Sequence, residues 1–258
     1  MGRPARKGTD MKIGILGTGN IGASLVRKLS AAGHAVKVAN SRGPDTIAAD
    51  LLTSGAQAVT ADQALRDVDA VILSVPLGRI PGLAPLIAEL PGDVVVIDTS
   101  NYYPGRDSAI QAIEDGQVES LWVAEQLGRP IAKAWNAIGS ASLAENGRPK
   151  GAAGRIALPV AADRDQDRAV AMALVEDTGL DAFDAGPLAE SWRQQPGAPA
   201  YCTDLTLDEI GPALAAAERH RLPARRDLIV AAIMERLGDG TTNPSADWNL
   251  RLSRAISM

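Results

Sequence analysis

From Met11 onward, short apolar runs alternate with amphipathic stretches. Lys12–Leu16 and Ala35–Ala39 read as strands, with a helix over Asn20–Ala32 between them. Pro44–Thr53 reads as a helix, its proline at a position tolerated in a first turn. Gln57–Val59 predicts a short strand and Ala61–Arg66 a helical turn. Ala70–Val75 and Val94–Asp98 are β-branched runs bounded by turn residues, and the stretch between them, Pro81–Leu90, is helical. Further on come a helix over Asp107–Glu114, weaker strands over Pro130–Asn136 and Arg155–Val160, a helix over Arg164–Asp177 and a last strand over Asp181–Asp184.

Strands alternating with helices imply βαβ units. The expected fold is α/β: a Rossmann-type, doubly wound, mostly parallel sheet with a small C-terminal helical region. After Gly186 the pattern changes, because Thr206–Arg219, Pro223–Leu237 and Ala246–Ile256 read as helices with no strand between them. The chain therefore divides into a disordered arm (1–10), a sheet domain (11–186) and a helical region (187–258) for substrate binding or dimerisation. The apolar faces of that region, for example Leu205, Leu207, Ile210 and Leu214, need a partner, either the sheet or a second subunit. A homodimer is expected.

Composition sharpens this picture. The chain is 46% hydrophobic with a single Phe, so its core is small and aliphatic, as suits a parallel sheet covered by helices. Its net charge of −5 argues against a nucleic-acid partner. Cys202 is the lone cysteine, which excludes an intrachain disulfide and fits a reducing cytoplasm. No Cys/His set has metal-ligand spacing, no apolar run is long enough for membrane insertion, and residues 1–10 lack the apolar stretch of a secretory signal.

The chemistry starts at Gly17-Thr18-Gly19-Asn20-Ile21-Gly22, a G-x-G-x-x-G that follows the first strand and opens the first helix. Gly17 permits the tight turn, Gly19 lets a diphosphate approach the backbone, and Gly22 lets helix and strand pack closely. The helix N-terminus offers free N–H groups and a partial positive charge to phosphates. The second strand ends in Asn40-Ser41-Arg42, about twenty residues beyond Gly19, where NAD sites carry an acidic residue for the ribose. With no carboxylate there, and with Arg42 able to grip a 2′-phosphate, NADP is expected rather than NAD. Ser74-Val75-Pro76 after the fourth strand and Ser100 after the fifth are expected to line the ribose and nicotinamide, because ligands lie across the C-terminal strand edges. Asn136 is expected to contribute an amide, and Trp135 is either a stacking wall or ordinary core.

These residues, together with Lys133-Ala-Trp-Asn136 and Gly179-Leu-Asp-Ala-Phe-Asp-Ala-Gly-Pro-Leu188, resemble the deazaflavin (coenzyme F-420)-dependent NADP oxidoreductases and the cytosolic oxidoreductase domain of the STEAP metalloreductases. The resemblance covers residues 11–192. It implies hydride exchange between NADP(H) and a second redox cofactor, a deazaflavin or flavin, in one cleft, usually in a dimer. It also implies that Thr18, Asn20, Ile21, Ser41, Arg42, Ser74, Val75 and Pro76 hold NADP. The chain departs from the family at Thr99–Lys133 and at Glu190–Cys202, two segments expected to touch the second substrate.

Hydride transfer between stacked rings needs geometry more than acid–base groups, and no catalytic acid is singled out. His34 and His220 read as surface residues and Asp184 as a turn-stabilising carboxylate. Two other enzyme readings are a pyrroline- or imine-reductase-like activity and a β-hydroxyacid-type dehydrogenase. The latter uses a Lys from a helical second domain, and here no Lys follows Lys150. A non-catalytic NADP sensor or partner domain is the alternative from outside the enzymes.

Overall fold

The computed structural model describes residues 11–238, 242 and 244–258. The arm proposed for residues 1–10 lies outside them. In chain order the elements are β1 (Lys12–Leu16), α1 (Asn20–Ala31), β2 (Ala35–Ala39), β3 (Gln57–Ala58), α2 (Ala61–Ala64), β4 (Ala70–Leu73), α3 (Ala84–Ala88), β5 (Val95–Asp98), α4 (Pro104–Asp107), α5 (Gln111–Glu114), α6 (Glu119–Leu127), β6 (Ala132–Lys133), α7 (Ser140–Glu145), β7 (Ala157–Ala162), α8 (Asp165–Asp177), β8 (Asp181–Asp184), α9 (Leu207–Ala215), α10 (Leu222–Leu237) and α11 (Ala246–Ser257).

The strands form one sheet in the order β3-β2-β1-β4-β5-β6-β7-β8. Each neighbouring pair is parallel except β6–β7, which is antiparallel, with Ala132 opposite Ala162. This is the doubly wound Rossmann-type order expected, extended by two strands beyond β6. The sheet places the C-terminal ends of β1, β4 and β5 side by side, with Leu16 opposite Leu73 and Leu73 opposite Asp98.

Side-chain alternation splits the core across the sheet. On one face Ile13, Ile15, Ile72 and Ile97 pack with Leu25, Val26 and Leu29 of α1 and Leu174 and Val175 of α8. On the other, Val71, Leu73 and Val96 pack with Leu77, Ile80, Ile87 and with Trp122 and Val123 of α6. Gly14 is where α2 comes closest, because a Cβ there would stand 2.1 Å from the Ala64 carbonyl oxygen.

Several expected elements differ in detail. Pro44–Thr53 is two 3₁₀ turns, Pro44–Thr46 and Ala49–Leu52, separated by extended Ile47 and Ala48. The break lets both Ile47 and Leu51 reach the core, which a short continuous helix would not. The Pro81–Leu90 helix is a 3₁₀ stretch over Leu77–Leu83, with Pro81 inside it, followed by α3. Asp107–Glu114 is broken at Ser108, whose φ of 62° is incompatible with a helix. The helices α6 and α7 are not among the expected elements; in α6 the apolar residues Leu121–Ala124 run together rather than at helical spacing.

His34 is not a surface residue. It is 5% exposed, its Nδ1 accepts from the Met11 N–H at 3.3 Å, and its Nε2 lies 3.1 Å from Asp177 Oδ2. The turn before β2 tucks under the start of β1 and the end of α8, and so its imidazole ties three elements together. His220 is exposed, as expected. Asp184 accepts from the Gly186 N–H at 2.9 Å, the turn-stabilising role expected of it.

Beyond Gly186, a 3₁₀ segment over Leu188–Gln194 lies against α6 and β7, α9 packs on β7 and β8, and α11 packs on α7 and α10. Most of α10 stands clear of the sheet, leaving Leu228, Val230 and Met234 exposed. Among the described residues no helix is long and apolar enough to cross a membrane.

Candidate active site

The first turn of the Rossmann unit is built as the glycine spacing requires. Gly17 has φ +112°, and a Cβ there would sit 2.0 Å from the Ser74 carbonyl oxygen. A Cβ on Gly22 would sit 2.2 Å from the Gly17 carbonyl oxygen. Both glycines are thus demanded by packing. Gly19 is different: its φ is an ordinary −68°, and a Cβ would meet nothing within 4 Å. It is the N-cap of α1, makes no side-chain cap, and is followed by a first turn with no acidic residue. The orphan amides of that turn therefore face open space with their partial positive charge uncompensated. That arrangement fits a diphosphate.

At the end of β2, Asn40 organises its own loop. Its Oδ1 accepts from the Arg42 N–H at 2.9 Å, and its Nδ2 donates to Thr46 Oγ1 at 3.0 Å and to Thr18 Oγ1 at 3.5 Å. The carboxamide thereby links this loop to the glycine turn. Ser41 and Arg42 are exposed, and the Arg42 side chain makes no hydrogen bond or ion pair within the described residues. Gly43, with φ 95°, completes the turn.

From the glycine turn a cleft of about 530 Å³ runs over the sheet edge. Its lining includes Gly19, Asn20 and Ile21, then Ser74, Val75 and Pro76, then Ser100 and Asn136. Thus one cavity gathers eight of the residues singled out from sequence. Thr18, Asn40, Ser41 and Arg42 are not part of its lining, nor are the two buttressing glycines 17 and 22. The Ser100 hydroxyl is buried and has no partner among the described residues, so a polar ligand group is what it lacks.

Trp135 belongs to the core. Its ring is 1% exposed and its Nε1 donates to Thr178 Oγ1 at 3.3 Å. Its left-handed backbone, φ 55°, ends β6 and turns Asn136 toward the cleft. Asn136 Nδ2 donates to Asn101 Oδ1 at 3.1 Å and to the Gln194 carbonyl at 2.8 Å, while its Oδ1 accepts from Gln194 Nε2 at 2.8 Å.

Beneath the edge lies a charged floor. Asp98 and Lys133, both fully buried, pair at 2.6 Å, and Lys133 also donates to the Ser100 carbonyl. Glu119, from α6, accepts from the Tyr102 N–H at 3.1 Å. Burial pushes its carboxyl up to about 7, against the opposing pull of Lys133. These contacts fix the main chain of Ser100–Tyr102 at the end of β5.

Asn101, a small polar group at the end of the fifth strand as expected there, lines the same cleft, and the structure adds Tyr103, Arg106, Tyr201 and Arg226, which the sequence did not single out. Tyr103 and Arg106 come from the segment Thr99–Lys133, and Tyr201 from Glu190–Cys202, the two stretches expected at the second substrate. A signal was available, since the chain has only three tyrosines and two of them, Tyr103 and Tyr201, meet here. The opposite wall is apolar, formed by Ile138 and by Ile229, Val230, Ile233 and Met234.

Fold and cleft together define a Rossmann-type α/β protein with an open cleft at its C-terminal strand edge. Residues 12–102 match the family described as NADP oxidoreductase, coenzyme F420-dependent, and over that stretch the chain is similar to it. Among solved structures, the hypothetical protein SMa0349 of Sinorhizobium meliloti is 27% identical, with 76% of this chain and 95% of that one covered and a TM-score of 0.64. A candidate F420-dependent NADP reductase from Arthrobacter sp. FB24 shares the fold at 16% identity, with coverages of 91% and 98% and a TM-score of 0.57. The protein YjhV of Escherichia coli (strain K12) is 51% identical over 59 residues, which are 23% of this chain. The match spans 43% of that curated relative, less than half its length.

Proposed function

We propose that the protein is an NADP(H)-dependent oxidoreductase that exchanges hydride between a bound nicotinamide and a second redox partner, a deazaflavin, a flavin or a small molecule, in the cleft over β1, β4, β5 and β6. The observation that carries this reading is the contrast among the glycines. Gly17 and Gly22 are locked by backbone, whereas Gly19 opens onto empty space at an uncapped helix N-terminus. Packing accounts for Gly17 and Gly22, and a backbone-approaching anion accounts for Gly19.

In this reading the amides of Thr18 to Gly22 hold the diphosphate. Ser41 and Arg42 hold the 2′-phosphate, with Asn40 shaping their loop, and this favours NADP over NAD. Ser74, Val75 and Pro76 bound the ribose, and Ser100 and Asn136 the nicotinamide end. When bound, the dinucleotide supplies or accepts the hydride. The protein's part is to hold the ring with its face toward its partner and to exclude water, which the apolar wall from α10 supports. The exposed apolar side chain of Leu228, which lies outside the cleft lining, supports a homodimer through α10. The buried free thiol of Cys202 suits a reducing cytoplasm.

The test is the fall of the reduced nicotinamide absorbance when NADPH is mixed with the protein and, in turn, deazaflavin, FAD, FMN, and panels of imines and carbonyl compounds. Turnover with one class establishes the reading and names the partner. Tight NADPH binding with no turnover on any of them replaces it with an NADP sensor.

A further inference from the structure

The polar end of the cleft carries a chain of hydrogen bonds that ends at two phenols. Asn101 Oδ1 accepts from Asn136 Nδ2, so the Asn101 amide is oriented without ambiguity. Its Nδ2 then donates to the Asn136 carbonyl at 2.8 Å and to the Tyr201 hydroxyl at 3.3 Å. Tyr201 is thereby an acceptor from Asn101, and its oxygen lies 2.7 Å from that of Tyr103 in a bond for which either hydroxyl can be the donor. The neighbouring Cys202 thiol is a far weaker acceptor for the Tyr201 proton than the Tyr103 oxygen. With Tyr201 donating, the Tyr103 O–H has no other partner among the described residues. Both rings are half-buried and line the cleft.

From this arrangement we infer that the hydride partner is a small carbonyl compound and that Tyr103 is its proton donor, with Tyr201 and Asn101 as positioning residues. The inference rests on the oxidoreductase reading and narrows its partner. The acceptor carbon gains a hydride, with its electron pair, from a reduced nicotinamide. The C=O π pair moves to oxygen. The Tyr103 O–H bond breaks as the O–H bond of the product alcohol forms, the Tyr201 proton passes to Tyr103, and the pair regains one proton from water. Burial holds both phenols well above their usual range, so neither gives up its proton to a weak base. An alkoxide is basic enough to take it; the ring nitrogen of a reduced deazaflavin is not. Ile138, Ile229 and Ile233 offer the apolar wall for the carbon body of such a substrate.

The experiment compares wild type, Tyr103→Phe and Tyr201→Phe in NADPH oxidation with a panel of aldehydes and ketones, in water and in deuterium oxide. General-acid loss predicts a fall in kcat of about 100-fold or more for Tyr103→Phe, a smaller fall for Tyr201→Phe, unchanged NADPH affinity in both, and a solvent isotope effect that Tyr103→Phe abolishes. Wild-type kcat in Tyr103→Phe, or turnover confined to deazaflavin and unaffected by the substitution, overturns the inference while leaving the oxidoreductase reading intact. A second readout is independent of turnover. The infrared carbonyl band of N-methylpyrrolidone, added to NADP⁺-loaded protein, is expected to shift down in wild type and not in Tyr103→Phe. Identical bands in the two proteins refute the donor role. No turnover of any partner by the wild type counts instead against the oxidoreductase reading, and the carbonyl inference falls with it.

Discussion

Replacing Gly19 by alanine separates binding from folding. The backbone at Gly19, φ −68° and ψ −178°, is open to any residue, and the new methyl would touch nothing in the protein. Gly→Ala at a compatible position stabilises by about 0.4–1 kcal/mol through the unfolded chain. Alanine is a poorer N-cap than glycine by a comparable amount, so the two effects nearly cancel. At about 2–4 °C per kcal/mol for a chain of this size, Tm should stay within a couple of degrees of wild type. The methyl would nevertheless stand where a diphosphate meets the first turn of α1. Losing one charge-assisted hydrogen bond costs about 1.5–3 kcal/mol, which is about 10- to 150-fold in affinity. Gly17→Ala is the control. Its Cβ would lie 2.0 Å from the Ser74 carbonyl oxygen at φ +112°, and strain of that kind costs about 1–3 kcal/mol before any clash. Differential scanning fluorimetry and calorimetric titration with NADPH should therefore show one variant that folds and fails to bind, and one that loses stability. A Gly19→Ala protein with wild-type NADPH affinity would refute the placement of the diphosphate.

Arg42→Ala should weaken NADPH about 10- to 150-fold and leave NADH unchanged, as read by parallel calorimetric titrations; equal losses for both would remove its 2′-phosphate role. Glu119 gives a pH dependence. Burial raises its carboxyl from an ordinary 4.5 to about 7 in the fold, so its contribution to stability is fully present below about pH 4.5 and is lost as pH rises through 7. Glu119→Gln keeps an acceptor for the Tyr102 N–H, and in urea denaturation it should gain stability over wild type at pH 8, on the order of 3 kcal/mol, and show no gain at pH 4. An unchanged difference across that range would refute the assignment.

Much of the sheet was legible in the chain because β-branched runs with flanking turn residues mark buried parallel strands without ambiguity, as at Ala70–Leu73 and Val95–Asp98. The glycine turn was legible for a different reason: its spacing encodes steric demands that the backbone at Gly17 and Gly22 reproduces. What was not legible depended on tertiary contacts. His34 looked like a turn residue and is buried because α8 closes over it. Ile47 and Leu51 both reach into the core, and the helix expected around them breaks to allow it. Tyr103 and Tyr201 lie nearly a hundred positions apart, and only the fold brings their hydroxyls within 2.7 Å. The apolar residues of α6, which supplies Glu119, run together at Leu121–Ala124 and show no helical period.

The central claim is that the cleft beginning at Gly19 holds an NADP-type dinucleotide. Calorimetric titration of the intact protein with NADPH, NADP⁺ and NADH tests it most directly. Saturable one-site binding is predicted for both phosphorylated forms, with NADPH at least about tenfold tighter than NADH. No heat from either phosphorylated form at millimolar ligand would contradict it.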